Sequence, residues 1–332
     1  MMELSERQLD EIIHNCLYCH VDGEGVHMNR FSEGQRRFYE AASDDYGARA
    51  RSSAGMTLDF ITDSNVLGLK VKAASGRSWD MVLFDLLIDG LLCEHQRCDM
   101  LERDTYAFRL PEGEHRVTLF FPWCVEITLT RVILSDGASL KPAPEKKLRI
   151  LVLGDSISQG YISEHPSLCY TNILSQRLDA ELLNQAVGGF MFSAGSLTDD
   201  FSWNPDLIIA AYGGNDYAYN EDRNVFRTSA QRYMDRLAVK FPAVPVLAIT
   251  PIFRGDDRAA ARNLVRDYTL DDADAILKEV YAACPNVTVL DGLRAVPHMQ
   301  DFFASDHLHP NDLGFMFYGN AVTQAVKNMM DR

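Results

Sequence analysis

Apolar and polar residues follow two different rhythms along this chain of 332 residues. From residue 55 to residue 135, they alternate in short runs that turn residues interrupt. Alternation with a period of two is typical of strands with one buried face, and successive strands without intervening helices indicate an antiparallel sandwich. The predicted strands are Met56–Thr62, Val66–Lys72, Met81–Ile88, His115–Phe121 and Val125–Leu134.

Beyond residue 147, continuous apolar runs alternate with segments of helical periodicity. Such runs are typical of strands buried on both faces, and their alternation with helices indicates a parallel sheet covered by helices. The predicted strands are Leu148–Leu153, Leu182–Val187, Leu207–Ala211, Val244–Thr250 and Val287–Leu290. The clearest helical patterns are Ser229–Phe241, Asp271–Ala283 and Asp312–Met330.

A stretch rich in proline and lysine, Lys141–Lys147, separates the two rhythms. Domain boundaries fall in such segments. The chain also suits two domains, because single cores stop growing near about 250–300 residues. We therefore predict an antiparallel, jelly-roll-like β-sandwich domain at 1–142 and an α/β domain with a parallel sheet at 147–332.

Composition and charge exclude several classes of partner. The formal net charge of −15 repels phosphate backbones and anionic lipid, so we expect neither nucleic acid nor a membrane surface as a partner. No apolar run approaches about 18 residues, the length that a membrane span needs. The charged start lacks the features of a secretory signal, so we expect a cytoplasmic protein with reduced thiols. A homo-oligomer is compatible with the sequence.

One compact cluster near the start, Cys16-Leu17-Tyr18-Cys19-His20, matches the attachment pattern of haem c, and His14 lies close by. Haem attachment occurs in exported proteins, whereas this chain shows no export signal. Zinc would need a second pair of ligands at suitable spacing, and no obvious pair is present. We therefore expect neither haem nor a metal there.

The first strand of the α/β region runs directly into Gly154-Asp155-Ser156. A serine at the carboxyl end of a buried strand, opening a helix, faces the crevice where open α/β sheets bind ligands. The segment differs from the Gly-x-Ser-x-Gly elbow, because position 158 is serine. A turn with a helix cap explains the tripeptide equally well when it is taken alone.

Two further blocks follow the second and third strands. Gly188-Gly189 allows a ligand to approach the backbone closely, and a free amide there can donate to an oxyanion. The carboxamide of Asn215 can supply another donor without ionising. In the common strand order 2-1-3-4-5, Ser156 and Asn215 flank the crevice. An ordinary turn or an Asx cap would explain either block in isolation.

The last block, Asp306-His307-Leu308-His309, precedes the final helix. A histidine can take the proton of a serine hydroxyl near neutral pH, and a carboxylate can fix its tautomer. Asp306 and His309 can meet across a turn, whereas His307 tends to point elsewhere. A metal site would need further ligands, and no acidic or histidine cluster nearby supplies them.

At these four blocks the chain resembles the SGNH hydrolases, also called the GDSL esterase/lipase family, from residue 148 to its end. The resemblance implies a flavodoxin-like, three-layer α/β/α fold and an acyl-enzyme on Ser156, with His309 as the base and Asp306 as its partner. It implies an oxyanion hole built from the amides of Ser156 and Gly189 and the side chain of Asn215. It also implies that no metal or organic cofactor takes part.

The first half resembles the N-terminal sandwich of some carbohydrate acetyl esterases and SGNH acyltransferases. Residues 49–56, which lead into Leu58-Asp59-Phe60, are similar to the opening of those sandwiches. Such a sandwich is itself similar to a carbohydrate-binding module. It can pack beside the active site and shape it, and a purely structural role is equally compatible.

The leading hypothesis is a serine ester hydrolase that removes a short acyl group, acetyl above all, from a sugar or small-molecule ester. An acyltransferase with the same triad is one alternative, and a catalytically silent carbohydrate-binding protein is another. A nucleotide binder is disfavoured, because neither a P-loop nor a Gly-x-Gly-x-x-Gly pattern is present. Side chains that could line the crevice are Tyr161, Trp203, Phe253 and Arg254. The three aromatic residues are equally typical of a hydrophobic core. Arg254 could instead pair with Asp256 or Asp257.

Overall fold

A computed structural model describes residues 1–255 and 267–331 of the chain. Asp256 and Asp257, considered above as partners of Arg254, lie outside the described residues. Within the described part, two antiparallel sheets are formed by residues 2–142 and one parallel sheet by residues 148–290.

Short strands make up most of the N-terminal region. In chain order they are β1 (Met2–Glu3), β2 (Ile13–His14), β3 (Tyr18–Asp22), β4 (Gly25–Asn29), β5 (Thr57–Thr62), β6 (Val66–Ser75), β7 (Met81–Ile88), β8 (Leu91–Asp99), β9 (Thr105–Arg109), β10 (His115–Phe120), β11 (Val125–Leu134) and β12 (Leu140–Pro142). One sheet has the order β3-β4-β11-β6-β9, with β1 also on β11, and the other has the order β12-β5-β10-β7-β8, with β2 also on β5. Apolar side chains of both sheets form one core that includes Leu58, Phe84 and Phe108. The predicted antiparallel sandwich is confirmed.

In the N-terminal region the structure adds elements that the sequence pattern does not reveal. They are the strands β1, β2, β3, β4, β8, β9 and β12 and the helices α1 (Glu6–Ile12), α2 (Glu33–Ala42) and α3 (Asp44–Arg51). Strand β8 lies at a sheet edge and exposes most of its residues, so it has no buried face to produce an apolar alternation. Helix α2 begins at a capping box in which the side chains and amides of Ser32 and Gln35 bond reciprocally.

The second region contains the parallel sheet and its helices. In chain order its elements are β13 (Leu148–Gly154), α4 (Ser156–Gln159), α5 (Tyr170–Leu178), β14 (Ala180–Ala186), β15 (Leu207–Ala211), α6 (Gly214–Tyr219), α7 (Arg223–Lys240), β16 (Val246–Ile249), α8 (Leu270–Ala282), β17 (Val287–Leu290) and α9 (Asp312–Met330). The sheet order is β14-β13-β15-β16-β17, which is the predicted order 2-1-3-4-5. Leu151 and Leu153 pack into the core on one face, and Ile150 and Val152 pack into the core on the other. The predicted three-layer α/β/α arrangement is confirmed. None of the described helices combines the length and apolarity that crossing a membrane requires.

The two regions share packing. Phe31 and Tyr39, before and within α2, join the core of the α/β region beside Leu183 and Phe190. Strand β12 ends at Pro142 and β13 begins at Leu148, and the domain boundary placed between them stays a prediction.

The connecting segment is held in place instead of being a free linker. The side chain of Lys146 is only 6% exposed, and its Nζ lies 3.7 Å from Asp59 Oδ2 and 4.0 Å from Glu181 Oε2. These ion pairs join a strand of the sandwich to a strand of the parallel sheet.

The buried side chain of Arg30 also connects these two regions. Arg30 Nε donates to the carbonyl of Ser52 at 2.8 Å, and Nη2 donates to the carbonyl of Arg49 at 2.9 Å. Its Nη1 donates to the carbonyls of Asn184 at 2.5 Å and Ala186 at 3.1 Å, at the carboxyl end of β14. Burial lowers the pKa of Arg30 to about 9, so the guanidinium stays charged at neutral pH.

Replacing Arg30 by methionine is expected to destabilise the whole chain. Buried carbonyls left without a donor cost about 1–3 kcal/mol each, so Arg30→Met should lower the free energy of unfolding by about 3 kcal/mol or more. Urea unfolding followed by fluorescence measures the change. Arg7→Met is the matched control, because the side chain of Arg7 is 89% exposed and pairs with Glu11 across one helical turn. An equal loss in both variants would contradict the bracing role of Arg30.

Candidate active site

Ser156 lies where the parallel sheet opens. Strand β13 ends at Gly154, Asp155 caps the following helix by accepting the amide of Ile157 at 3.1 Å, and Ser156 is the first helical residue. The residue is largely buried, with 9% exposure. The end of β13 therefore places the hydroxyl of Ser156 on the crevice side of the sheet, as the sequence predicts.

A continuous chain of hydrogen bonds joins three of the predicted residues. Ser156 Oγ lies 2.8 Å from His309 Nε2, and His309 Nδ1 lies 2.5 Å from Asp306 Oδ2. His307 turns away and contacts Gln300. The structure therefore brings together Ser156, His309 and Asp306, and it separates His307 from them.

The carboxylate of Asp306 is fixed by its local turn. Its Oδ1 accepts the backbone amides of Leu308 and His309, both at 3.0 Å. Burial opposes the charged form, but the hydrogen bond and positive charge of His309, with these amides, outweigh it and hold the pKa of Asp306 well below its usual range. The carboxylate is therefore ionised wherever the protein is folded near neutral pH, as a partner of an imidazolium needs to be.

The predicted oxyanion donors border the same cavity as the serine. Gly189 and Asn215 line it, and the cavity has a volume of about 190 Å³. Gly189 has φ +79°, a left-handed conformation that favours glycine. The Nδ2 of Asn215 donates to the carbonyl of Phe190 at 3.1 Å and lies 3.4 Å from Asp155 Oδ2. The second contact is at the long limit of a hydrogen bond, so that N–H is the more weakly held of the two.

Helix α3 supports the loop of Gly188 and Gly189, here called the oxyanion loop after its predicted role, through contacts that the sequence pattern does not indicate. Arg49 Nη1 donates to the carbonyl of Gly188 at 2.8 Å, and Tyr46 Oη donates to the carbonyl of Gly189 at 3.2 Å. A Cβ atom added at Gly189 would lie 3.1 Å from Arg49 Nη1. The only sequence signal was that Arg49 begins the stretch that resembles the opening of related sandwiches.

Gln159 holds the other side of that loop. Its Oε1 accepts the amide of Gly188 at 2.7 Å, while Nε2 donates to Ser52 Oγ at 3.1 Å and to the carbonyl of Trp123 at 3.0 Å. Both ends of this carboxamide are thus satisfied, one in each region. The loop is fixed through its amide on one side and through its carbonyls on the other.

The walls of the cavity come from both regions of the chain. The N-terminal region supplies Arg49 and Ser78. The α/β region supplies Tyr161 and Tyr219, in addition to the hydrogen-bonded relay of Ser156, His309 and Asp306 and the predicted oxyanion donors. The ring centroid of Tyr161 lies 4.5 Å from that of His309. The cavity is therefore bordered by polar and aromatic groups.

The other crevice candidates lie elsewhere. The guanidinium of Arg149 lies over Trp203, 4.4 Å from the centroid of the indole ring. Phe253 stacks on His298, with 4.1 Å between the two ring centroids. Arg254 Nη1 donates to the carbonyl of Gly214 at 3.0 Å. Of the aromatic candidates, Tyr161 is thus the one that borders the cavity.

Two buried carboxyl groups adjoin the site. Burial raises the pKa of Asp155 to about 6 and that of Asp216 to about 7, because water no longer stabilises their charged forms. Asp216 accepts the amide of Phe192 at 3.1 Å, which partly offsets the cost. Asp155 thus adjoins Asn215, and Asp216 adjoins the segment that follows Gly189.

The cysteine and histidine cluster near the start does not assemble a ligand set. Cys16 Sγ and Cys19 Sγ lie 3.8 Å apart. His14 faces Glu181, with Nδ1 3.1 Å from Oε2, and His20 is 61% exposed. The two thiols therefore face each other, whereas His14 and His20 face Glu181 and Asp22.

A comparison with known families accounts for the site geometry. Residues 152–316 match the model of the GDSL-like lipase/acylhydrolase family, and this segment contains all of the residues discussed as a relay or as oxyanion donors. This chain carries a domain of the GDSL-like lipase/acylhydrolase family. The predicted family is thereby confirmed, while the roles of single residues stay predictions.

Relatives extend the similarity beyond the GDSL-like domain. An acetylxylan esterase/glucomannan deacetylase of Cellvibrio japonicus (strain Ueda107) is 26% identical over 249 residues, covering 62% of this chain and 68% of the relative. Two solved structures cover nearly the whole chain. The salicylyl-acyltransferase SsfX3 from a tetracycline biosynthetic pathway has a TM-score of 0.77 and 20% identity, covering 96% of this chain and 94% of that one. A family two carbohydrate esterase from Cellvibrio japonicus has a TM-score of 0.63 and 20% identity, covering 98% and 97%. These structures share the combination of a sandwich and a GDSL-like domain with this chain. The predicted class of enzyme, a carboxylic ester hydrolase, is confirmed.

Removing the guanidinium of Arg49 is expected to slow turnover more than it weakens substrate binding. Arg49→Met frees the carbonyl of Gly188, and a displacement of about 1 Å at a reacting group can cost about 100-fold in rate. We expect kcat for p-nitrophenyl acetate to fall by about 10-fold to 100-fold, with a smaller change in KM. Arg51→Met on the same helix is the matched control, since Arg51 pairs with Glu40 and Glu126 away from the cavity. A wild-type kcat in Arg49→Met would rule out the positioning role.

The raised pKa of Asp216 predicts how stability depends on pH. An aspartate ordinarily titrates near about 3.9, so between that value and about 7 the folded protein holds a proton that the unfolded chain has released. Stability therefore falls as pH rises through this window. Asp216→Asn should reduce the difference in Tm between about pH 5 and about pH 8, measured by scanning calorimetry. The exposed Asp10→Asn should leave that difference as in the wild type, and an unchanged difference in Asp216→Asn would contradict the prediction.

Proposed function

We propose that this chain removes a short acyl group, acetyl above all, from a saccharide ester through an acyl-enzyme on Ser156. The observation that carries the proposal is the continuous relay from Ser156 through His309 to Asp306, at 2.8 and 2.5 Å, on the wall of a cavity. A serine hydroxyl becomes an effective nucleophile only when a base in hydrogen-bond reach takes its proton.

The relay supports the following steps. Ser156 Oγ attacks the ester carbonyl while His309 Nε2 takes the hydroxyl proton, and the imidazolium is stabilised by Asp306. The tetrahedral intermediate collapses when the same imidazolium returns the proton to the alcohol oxygen, which leaves. Water then enters, loses a proton to His309 and attacks the acyl group, and Ser156 recovers its proton as the acid departs.

The oxyanion of both intermediates is assigned to the amides of Ser156 and Gly189 and the carboxamide of Asn215. All three residues border the cavity, and hydrogen bonds hold the loop that contains Gly189 and the side chain of Asn215 before substrate arrives. Donors of this kind lower a barrier because they need no reorganisation during the reaction. The loss of one typically costs about 10²–10³ in kcat.

Two observations support a saccharide acetate as the substrate. The cavity of about 190 Å³ suits a small acyl group better than a long apolar chain, and its rim contains polar groups such as Arg49, Ser78 and Tyr219. Hydroxyl-rich substrates are recognised by such groups. The acetylxylan esterase/glucomannan deacetylase relative is consistent with this class.

An acyltransferase reaction is the second candidate, because the acyl-enzyme is common to both reactions. The similarity over nearly the whole chain to a salicylyl-acyltransferase keeps this reading open. Water and an alcohol differ only in which oxygen attacks the acyl-enzyme. Products of an acetyl ester supplied with candidate sugar alcohols would distinguish free acetate from a transferred acetyl group.

Ser156→Ala tests the assignment of the nucleophile. Without Oγ the acyl-enzyme cannot form, so we expect kcat to fall by about 10⁴-fold or more, and labelling by a fluorophosphonate to disappear. The measurements are hydrolysis of p-nitrophenyl esters of rising acyl length, release of acetate from a panel of acetylated oligosaccharides, and mass spectrometry of the labelled peptide.

Ser158→Ala is the matched control, because its hydroxyl lies 2.7 Å from the buried Tyr170 Oη and is therefore directed away from the relay. It should still be labelled at Ser156. A wild-type rate in Ser156→Ala would overturn the proposed mechanism. Turnover that rises with acyl length, or an absence of acetate from every sugar ester, would overturn the proposed substrate class.

A further inference from the structure

A second cluster of reactive side chains lies outside the catalytic cavity, where the sandwich meets the α/β region. Asp85 on β7, His95 on β8 and His165 in the segment between α4 and α5 come together there. The Nδ1 atoms of His95 and His165 lie 2.7 and 3.1 Å from the same oxygen, Asp85 Oδ1. One ligand-type atom from each residue lies within 4.8 Å of the others.

We propose that Asp85, His95 and His165 form a binding site for a divalent transition-metal ion of the zinc class. Imidazole nitrogen and carboxylate oxygen are ligands that such ions favour, at bond lengths of about 2.0–2.2 Å. Neighbouring ligands in a tetrahedral site are then about 3.3 Å apart. The observed spacings of 2.7 and 3.1 Å reach that value after a small outward shift of the two rings.

The surroundings of Asp85 fit a metal-binding carboxylate. The residue is fully buried, and its second oxygen, Oδ2, accepts the amide and the hydroxyl of Ser167 at 2.9 and 2.5 Å. Hydrogen bonds of this kind orient ligating carboxylates and are a regular part of metal sites. One oxygen is thus fixed, and the other is presented to both imidazoles.

The histidines leave a coordination position for water. Their side chains are 25% and 31% exposed, so the cluster opens to solvent on the side of the two rings. The neighbouring cation Arg97 is neutralised by an ion pair with Glu164, which reduces its repulsion of a metal ion. A three-ligand site with one water follows.

A bound ion would fasten the two regions beside the active site. Asp85 and His95 belong to the sandwich, whereas His165 belongs to the segment that carries Tyr161, whose ring lies 4.5 Å from His309. The same segment is already joined to the sandwich by Trp123, whose Nε1 donates to a backbone carbonyl of it at 2.9 Å. The ion would therefore stabilise the contact between regions and take no part in the ester chemistry.

The test uses the untagged full chain after removal of metals by a chelator. Zn²⁺ and Co²⁺ are titrated separately, with calorimetry for stoichiometry, the rise in Tm for coupling to folding, and the visible d–d absorption of Co²⁺ for ligand geometry. We expect one ion per chain, a higher Tm with metal, and a Co²⁺ spectrum typical of nitrogen and oxygen ligands. His95→Gln and His165→Gln should each weaken binding by about 10-fold to 100-fold or more.

Two controls separate this site from other sources of binding. His115→Gln removes another histidine of the sandwich that pairs with an aspartate, with Nδ1 2.7 Å from Asp89 Oδ2, and it should bind metal as the wild type does. Cys16→Ser with Cys19→Ser removes the thiol pair, and it should also bind normally.

Several outcomes would overturn the proposal. If the wild type takes up neither ion, the cluster is a set of hydrogen bonds that joins the two regions. Binding that survives in His165→Gln, or that is lost equally in His115→Gln, would place the ion elsewhere. A Co²⁺–thiolate absorption band that disappears with the cysteine substitutions would assign the ion to that pair. The Tm of each metal-free variant shows that it is folded.

Discussion

The buried guanidinium of Arg30 constrains the rest of the structure, because each of its N–H donors needs an acceptor in the folded chain. Burying a charge is costly unless it is paired or hydrogen-bonded. Here the acceptors are the carbonyls of Arg49 and Ser52 at the end of α3, and those of Asn184 and Ala186 at the end of β14. These backbone groups are therefore held in one arrangement. The oxyanion loop follows β14 directly, so its origin is set by a residue of the N-terminal region.

The active site is consequently a joint product of both regions. The relay lies within the α/β region, but the loop carrying Gly189 is held by Arg49 and Tyr46 from α3 and by Gln159, which also bonds to Ser52. A single hydrogen bond of this kind adds only about 1 kcal/mol to stability. In the proposed mechanism its effect on rate is larger, because an oxyanion donor acts only at the correct distance. The sandwich thus contributes more to geometry at the site than to the reaction itself.

Those parts of the fold that depend on local pattern could be predicted from the sequence. The core strands of the parallel sheet are continuous apolar runs, and β7, β11, β15, β17 and α9 have the predicted bounds. Strand β8 could not be found, because an exposed edge strand has no apolar periodicity. Helices α2 and α3 were missed because they pack on the α/β region instead of within the sandwich. Their reason for forming lies in contacts with residues far along the chain.

The residues of the candidate site also divide into those that the sequence indicates and those that it does not. Ser156, Asn215 and His309 stand at strand ends or beside a helix start, where a residue's type and place together indicate chemistry, and the structure brings them to one cavity. Arg49 carries no such signal: it contacts a glycine 139 residues away, and a surface arginine would look the same in the sequence. Motifs therefore report the reaction, since the chemistry restricts which residue types can perform it. In the proposed reaction, the alcohol portion of the substrate would lie against residues such as Arg49 and Ser78. The positions of these residues depend on how the two regions pack, so no sequence motif indicates the alcohol.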